Sequence, residues 1–167
     1  MESKKLTKIL FAAYLAAMTW IIVFKMEFFI ENLAGIRSIN LIPFNGSAIV
    51  NGAIDVSEII NNALIFIPLG IYAGLLLRDG GFREKLLLIA GVSLSYEALQ
   101  YILAIGRSDI TDLISNCLGG IVGLLLYAAI GWLCKTDTRT AICVNVCALV
   151  GTICAAAFIA VLFIANM

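Results

Sequence analysis

The chain has 167 residues, of which 62% are apolar and only 13% charged, where a soluble domain of this size carries about 25% charged residues. An ordinary soluble domain is therefore not expected, and lipid is the expected solvent, in keeping with a mean hydropathy of +1.06. Zero formal net charge gives no hint of a nucleic-acid partner, and the absence of histidine removes the commonest general base and metal ligand.

A bilayer core needs about 20 mostly apolar residues per helix. The first candidate span is 6–24, preceded by a basic head over 1–5. It resembles a signal peptide in charge, but Lys25, Met26 and Glu27 follow it without a small-residue cleavage pattern, so it is expected to remain as a span. Residues 25–56 form the one long connection. Pro43, Asn45-Gly46 and Asn51-Gly52 mark turns in it, and a short interfacial helix is expected near 28–33. Four further spans are predicted at 57–77, 85–105, 109–134 and 141–165. The predicted fold class is an all-α, polytopic membrane helix bundle of five spans, with 6–134 as the main membrane domain and 135–167 as a cytoplasmic turn and fifth helix.

Orientation follows from the basic residues. With the N-terminus in the cytoplasm, the inner side carries Lys4, Lys5, Lys8, Arg78, Arg83, Lys85, Lys135 and Arg139, and the outer side only Lys25, Arg37 and Arg107. The C-terminus is then expected outside. Cys117, Cys134, Cys143, Cys147 and Cys154 are an odd set, all but Cys134 in apolar runs, and read as helix-packing residues rather than a disulfide framework.

Helical spacing sorts the polar residues into stripes. Asp55, Glu58 and Asn62 lie on one face of the second span, Ser93, Glu97 and Gln100 on one face of the third, and Asp109, Asp112 and Asn116 on one face of the fourth. Each stripe falls in the outer half of its helix, which suggests one shared site open to the outer surface. A charge at the centre of a span costs roughly 2.5–3.5 kcal/mol. Glu97, about two turns inside its span, is thus expected to face the interior, with Arg107 in the following turn folding back over Glu97, Asp109 or Asp112. Plainer roles compete. Asp109 and Asp112 suit the N-terminus of a helix as caps, and Asn62, Gln100 and Glu97 suit interhelical hydrogen bonds. Gly70-x3-Gly74 and Gly119-x3-Gly123 suit close helix packing, while Pro68 frees the carbonyl of Leu64.

Read in order, the residues are Asn40-Leu-Ile-Pro43-Phe44, Asn62-x3-Phe66-x-Pro68-x-Gly70, Ser93-x3-Glu97-x2-Gln100, Arg107-x-Asp109-x2-Asp112-x3-Asn116 and Gly119-Gly120-x2-Gly123. This pattern resembles the VanZ-like family of small bacterial membrane proteins over residues 40 to 131; the last span adds nothing to it. The resemblance implies a multi-pass location in the bacterial cytoplasmic membrane and a link to the cell envelope. The family's namesake is an accessory protein of glycopeptide resistance, associated with teicoplanin. No particular reaction is implied.

Three functions follow as expectations. In the first, an outer polar pocket of Asn40, Asn62, Glu97, Gln100, Arg107, Asp109, Asp112 and Asn116 binds a lipid-linked or lipoglycopeptide ligand. Arg107 holds a phosphate or carboxylate by its planar fork. The outer rim is acidic, so a divalent cation held by Asp109 and Asp112 is an alternative bridge to phosphate. In the second, Glu97 is the general acid or base of an enzyme acting on a lipid or cell-wall precursor. No nucleophile motif supports this, because Ser93 and Ser95 have no histidine partner. In the third, the intramembrane carboxylates serve an ion or solute transporter, although the polar residues stop at mid-bilayer and no internal repeat is present. The lipid bilayer is the one partner common to all three, and the sequence leaves the oligomeric state open.

Overall fold

In a computed structural model of the protein, residues 4–24, 35–44, 49–50, 53–54 and 56–165 are described. Five α-helices appear: α1 Lys4–Ile22, α2 Ser57–Leu76, α3 Phe82–Leu103, α4 Ile110–Cys134 and α5 Asp137–Ala165. All five are long and apolar enough to cross a membrane. The architecture is the all-α, multi-pass membrane class, and each helix overlaps one span expected from the sequence. The expected interfacial helix near 28–33, the turn signals Asn45-Gly46 and Asn51-Gly52, and Asp55 lie outside the described residues.

The chain divides into two compact units, Thr19–Ala128 and Met1–Met18 with Ala129–Met167. In the first, side-chain polarity is turned inward. Ser93, Asn116, Ser115 and Thr111 are at most 2% exposed, while Leu87 and Leu125 are 71% and 65% exposed. This is the arrangement lipid demands: apolar side chains outward, polar groups hydrogen-bonded inside.

Small residues set the helix spacing. A side chain on Gly119 would run into the backbone of Ala63, one on Gly123 into the backbone of Ile67, and one on Gly70 into that of Gly120. These contacts align α2 and α4 in parallel, backbone against backbone. Association in lipid rests on such close packing, because burial of apolar surface gives little there. On another side of α4, Gly120 faces Ile89 of α3, and the amide of Asn116 reaches Ser93, so α3 runs antiparallel to α4. The end of α1 runs parallel to α3, held by a 2.9 Å hydrogen bond between Thr19 Oγ1 and Tyr96 Oη. Pro68 sits inside α2, which continues through it to Leu76.

Where the sequence led to the expectation of a loop and a turn, the structure has strands. Strand β1 (Ile36–Asn40) pairs in parallel with β4 (Ile105–Asp109), in register from Ile36↔Ile105 to Asn40↔Asp109. A second, short pair joins β2 (Ile49–Val50) to β3 (Ala53–Ile54). Parallel strands cannot be joined by a tight turn and need a crossover; here the crossover contains α2 and α3. The fourth span accordingly begins one residue later than expected, because Asp109 closes the strand. Ala104 links α3 to β4 with φ 54°, ψ 36°, and the reversal it makes brings β4 back along the end of α3.

In the other unit, Thr7 Oγ1 of α1 donates to Asn145 Oδ1 of α5 at 3.0 Å, and both residues are buried. The remainder of α5 is apolar all round and exposed, with Ile153, Val161 and Ile164 at 60% or more, as expected of a lipid-facing helix.

Candidate functional site

The polar residues of the larger unit meet where α3 ends, α4 begins and β1 joins β4. Asp109 is the hub. As the residue before α4 it is the N-cap, and its Oδ1 accepts from the Thr111 N–H at 2.8 Å, which satisfies one of the free donors of the first turn. Its Oδ2 accepts from Asn40 Nδ2 at 2.9 Å, across the last pair of the strand register. Its own N–H donates to Glu97 Oε2 at 2.9 Å. One residue thus links strand, helix and the buried carboxyl of α3.

Glu97 is 7% exposed. A carboxyl withdrawn this far from water is costly unless hydrogen-bonded or paired. The strand supplies two contacts to it: the Asp109 N–H to its side chain, and Ser108 Oγ, which donates to the Glu97 main-chain carbonyl at 2.7 Å. A turn deeper, Asn116 Nδ2 donates to Ser93 Oγ at 2.9 Å, with Asn116 1% and Ser93 0% exposed. A turn towards the strands, Gln100 Nε2 donates to the carbonyl of Ile22 at 2.9 Å and satisfies an open acceptor in the last turn of α1. Gln100 Oε1 and Asn116 Oδ1 are buried without a hydrogen-bond donor among the described residues.

Asn40 also shapes the loop beyond β1. Its Oδ1 accepts from the Ile42 N–H and its Nδ2 donates to the Ile42 carbonyl, both at 3.2 Å. The Phe44 N–H donates to Thr111 Oγ1 at 3.0 Å, and Phe44 has φ 60°. The loop held in this way exposes Ile39, Leu41, Ile42 and Phe44, each more than half accessible and Leu41 75%. A partly buried polar network therefore continues directly into an exposed apolar loop.

Of the residues expected to form the site, the structure joins Asn40, Asp109 and Glu97 in one chain of hydrogen bonds and places Gln100 and Asn116 on either side of Glu97. Asp112 is half-buried in the first turn of α4, where a carboxylate suits the positive end of the helix. Asn62 is half-buried, next to Ala63 where α2 meets Gly119, and its side chain makes no hydrogen bond with the described residues. Of Arg107 only the backbone is described, paired with Ser38 in the strand register; its expected contact with the acids lies outside the described residues. Among the described residues no group of three or more His, Cys, Asp and Glu side chains is placed to hold a metal ion. Ser93 accepts from an amide and Ser95 donates back to the Gly91 carbonyl, so neither is set beside a base.

Thr111, Ser115, Ser108 and Arg37 were not singled out from the sequence. Thr111 and Ser115 are buried, and the i, i+4 spacing of Thr111 and Ser115 with Asn116 next in line was the signal available. Arg37 grips the C-terminus of α3: Nε donates to the Tyr101 carbonyl and Nη2 to the Ile102 carbonyl, both at 3.0 Å, with the guanidinium 5.4 Å from the Tyr101 ring centroid. A cation there meets the negative end of the helix.

The family described as VanZ/LLP1 matches residues 11–132, which include every one of these side chains. Protein VanZ of Enterococcus faecium is 37% identical over 126 residues, covering 74% of this chain and 74% of that protein. The chain belongs to the VanZ/LLP1 family. No solved structure matches it. Within the VanZ/LLP1 match fall both strands of the parallel pair and the glycine seam of α2 and α4, whereas α5 lies beyond it.

Proposed function

We propose that this VanZ/LLP1 protein resides in the bacterial cytoplasmic membrane and binds an amphiphilic or lipid-linked envelope ligand at an outward-facing site, so lowering susceptibility to glycopeptides of the teicoplanin type. The observation that carries this reading is the continuity between the Asn40–Asp109–Glu97 network and the apolar loop from Ile39 to Phe44. A polar head group fits the network, and an acyl chain fits the loop and the adjoining lipid. Arg107, one residue before Ser108, is the cation on this segment suited to a phosphate or carboxylate. The bias of basic residues to the opposite end supports an outward orientation of the site. The relationship to Protein VanZ of Enterococcus faecium supports the glycopeptide connection.

The test is susceptibility to teicoplanin, with vancomycin as comparison, in a sensitive Gram-positive host producing wild type, Arg107→Ala, Glu97→Gln or Asp112→Asn at matched membrane levels. Protection by wild type and its loss in the variants is the expected result. Equal protection by all four proteins makes the polar cluster a structural device, and no protection by wild type removes the glycopeptide role.

A further inference from the structure

Buried oxygens gather between α3 and α4. Ser93 and Glu97 are one turn apart on the same face of α3, and Asn116 of α4 is tied to Ser93. All three are at least nine-tenths buried. Hydrogen bonding leaves acceptors in excess. The Asn116 amide spends its nitrogen on Ser93, and its Oδ1 has no donor among the described residues. Glu97 receives one N–H, from Asp109, and no lysine or arginine whose side chain is described pairs with it. Gln100 Oε1 is a second buried acceptor without a donor, one turn further along the same face. Buried carbonyl oxygens normally have partners, and an exception of this kind calls for a water or an ion.

We propose that Ser93 Oγ, Asn116 Oδ1 and the carboxylate of Glu97 form a site for a small monovalent cation, of the Na+ class, held between α3 and α4. The ligand chemistry is all oxygen, which suits a hard cation. Glu97 supplies the charge among the three ligands, the carboxylates of Asp112 and Asp109 add to the negative field around it, and hydroxyl and amide oxygens replace part of the hydration shell. A divalent ion is poorly served by a single carboxylate, and the described residues offer no group of three acidic ligands. The ion would also give the intramembrane carboxylate of Glu97 the counter-charge that such groups require. The bond from Glu97 to the Asp109 N–H then couples ion occupancy to the strand-bearing end of the molecule.

The experiment is thermal unfolding of the full-length protein in detergent, in NaCl, KCl or choline chloride at equal ionic strength. A saturable rise in Tm with Na+ or K+ and none with choline is expected, reaching about 5–10 °C at a hundredfold excess over Kd. The rise should vanish in Asn116→Leu and Glu97→Gln; Ser93→Ala, a smaller change, carries the comparison if either variant fails to fold. Equal Tm in all three salts overturns the site, as does a cation effect that persists in the variants. The readout needs no glycopeptide, so its failure is distinct from failure of the resistance reading.

Discussion

Asp109 is hydrogen-bonded to three different elements, and its substitutions test the side-chain bonds. Asp109→Asn keeps a side-chain oxygen for the Thr111 N–H, since asparagine caps as well as aspartate. Asp109→Ala removes the cap, at a cost of about 1 kcal/mol, and also strips Asn40 of an acceptor. In a chain of this length each 1 kcal/mol lowers Tm by about 2–4 °C, so Asp109→Ala should unfold at least that much earlier in detergent, and Asp109→Asn, which keeps the cap but sets an amide NH2 against Asn40 Nδ2, between the two. Arg37→Lys gives a second contrast. A single ammonium cannot span the Tyr101 and Ile102 carbonyls as the guanidinium does, so the lysine variant should unfold earlier than wild type and Arg37→Ala earlier still. The cap at Asp109 and the inward face of Glu97 were legible in the sequence because carboxylates near a helix start and inside a span have few cheap alternatives. The role of Arg37 was not, because its partners are backbone carbonyls, which every residue has and no sequence pattern marks.

At the scale of the elements, the glycines divide by what surrounds them. Gly119 has the Ala63 backbone against it, whereas nothing lies within 4 Å of a side chain placed on Gly91. Gly119→Val should therefore push α2 from α4 and lower both folded yield and Tm. Gly91→Ala should be neutral or stabilising by up to about 1 kcal/mol, from helix propensity alone, and the same unfolding measurement reads both. The helices were legible from hydropathy, since a run near 20 apolar residues has one solution in lipid. The parallel strands were not. Ile36–Asn40 and Ile105–Asp109 are five residues each, without clean alternation, and they gain their hydrogen bonds from each other across a long stretch of chain. Local pattern cannot report a partner that distant.

For the whole molecule, the basic-residue bias predicts that the strand-bearing end of the larger unit faces outward. In a background without native cysteines, Leu41→Cys should react with an impermeant maleimide in intact cells, and Asp79→Cys only after permeabilisation. The reverse pattern would invert the orientation and place the Asn40–Asp109 network on the cytoplasmic side. The two polar layers of the larger unit, Ser93 with Asn116 and Glu97 with Asp109, lie within that unit's compact fold. Their convergence was legible from spacing in the sequence. The order of the hydrogen bonds was not, because it depends on the strand register.

The parallel register also imposes an order of biogenesis. Residue 40 cannot meet residue 109 until both intervening helices have left the ribosome and entered the bilayer, so the pairing of β1 with β4 is among the last contacts available to the larger unit. Closure over so long a loop is slow and comes after local helix formation. Until then Asn40 and Glu97 lack the partners that Asp109 supplies, and the half-made protein presents an open acidic end. Ribosome-stalled chains ending within α3 should leave a cysteine at Ser38 reactive, while chains extended through α4 should protect it.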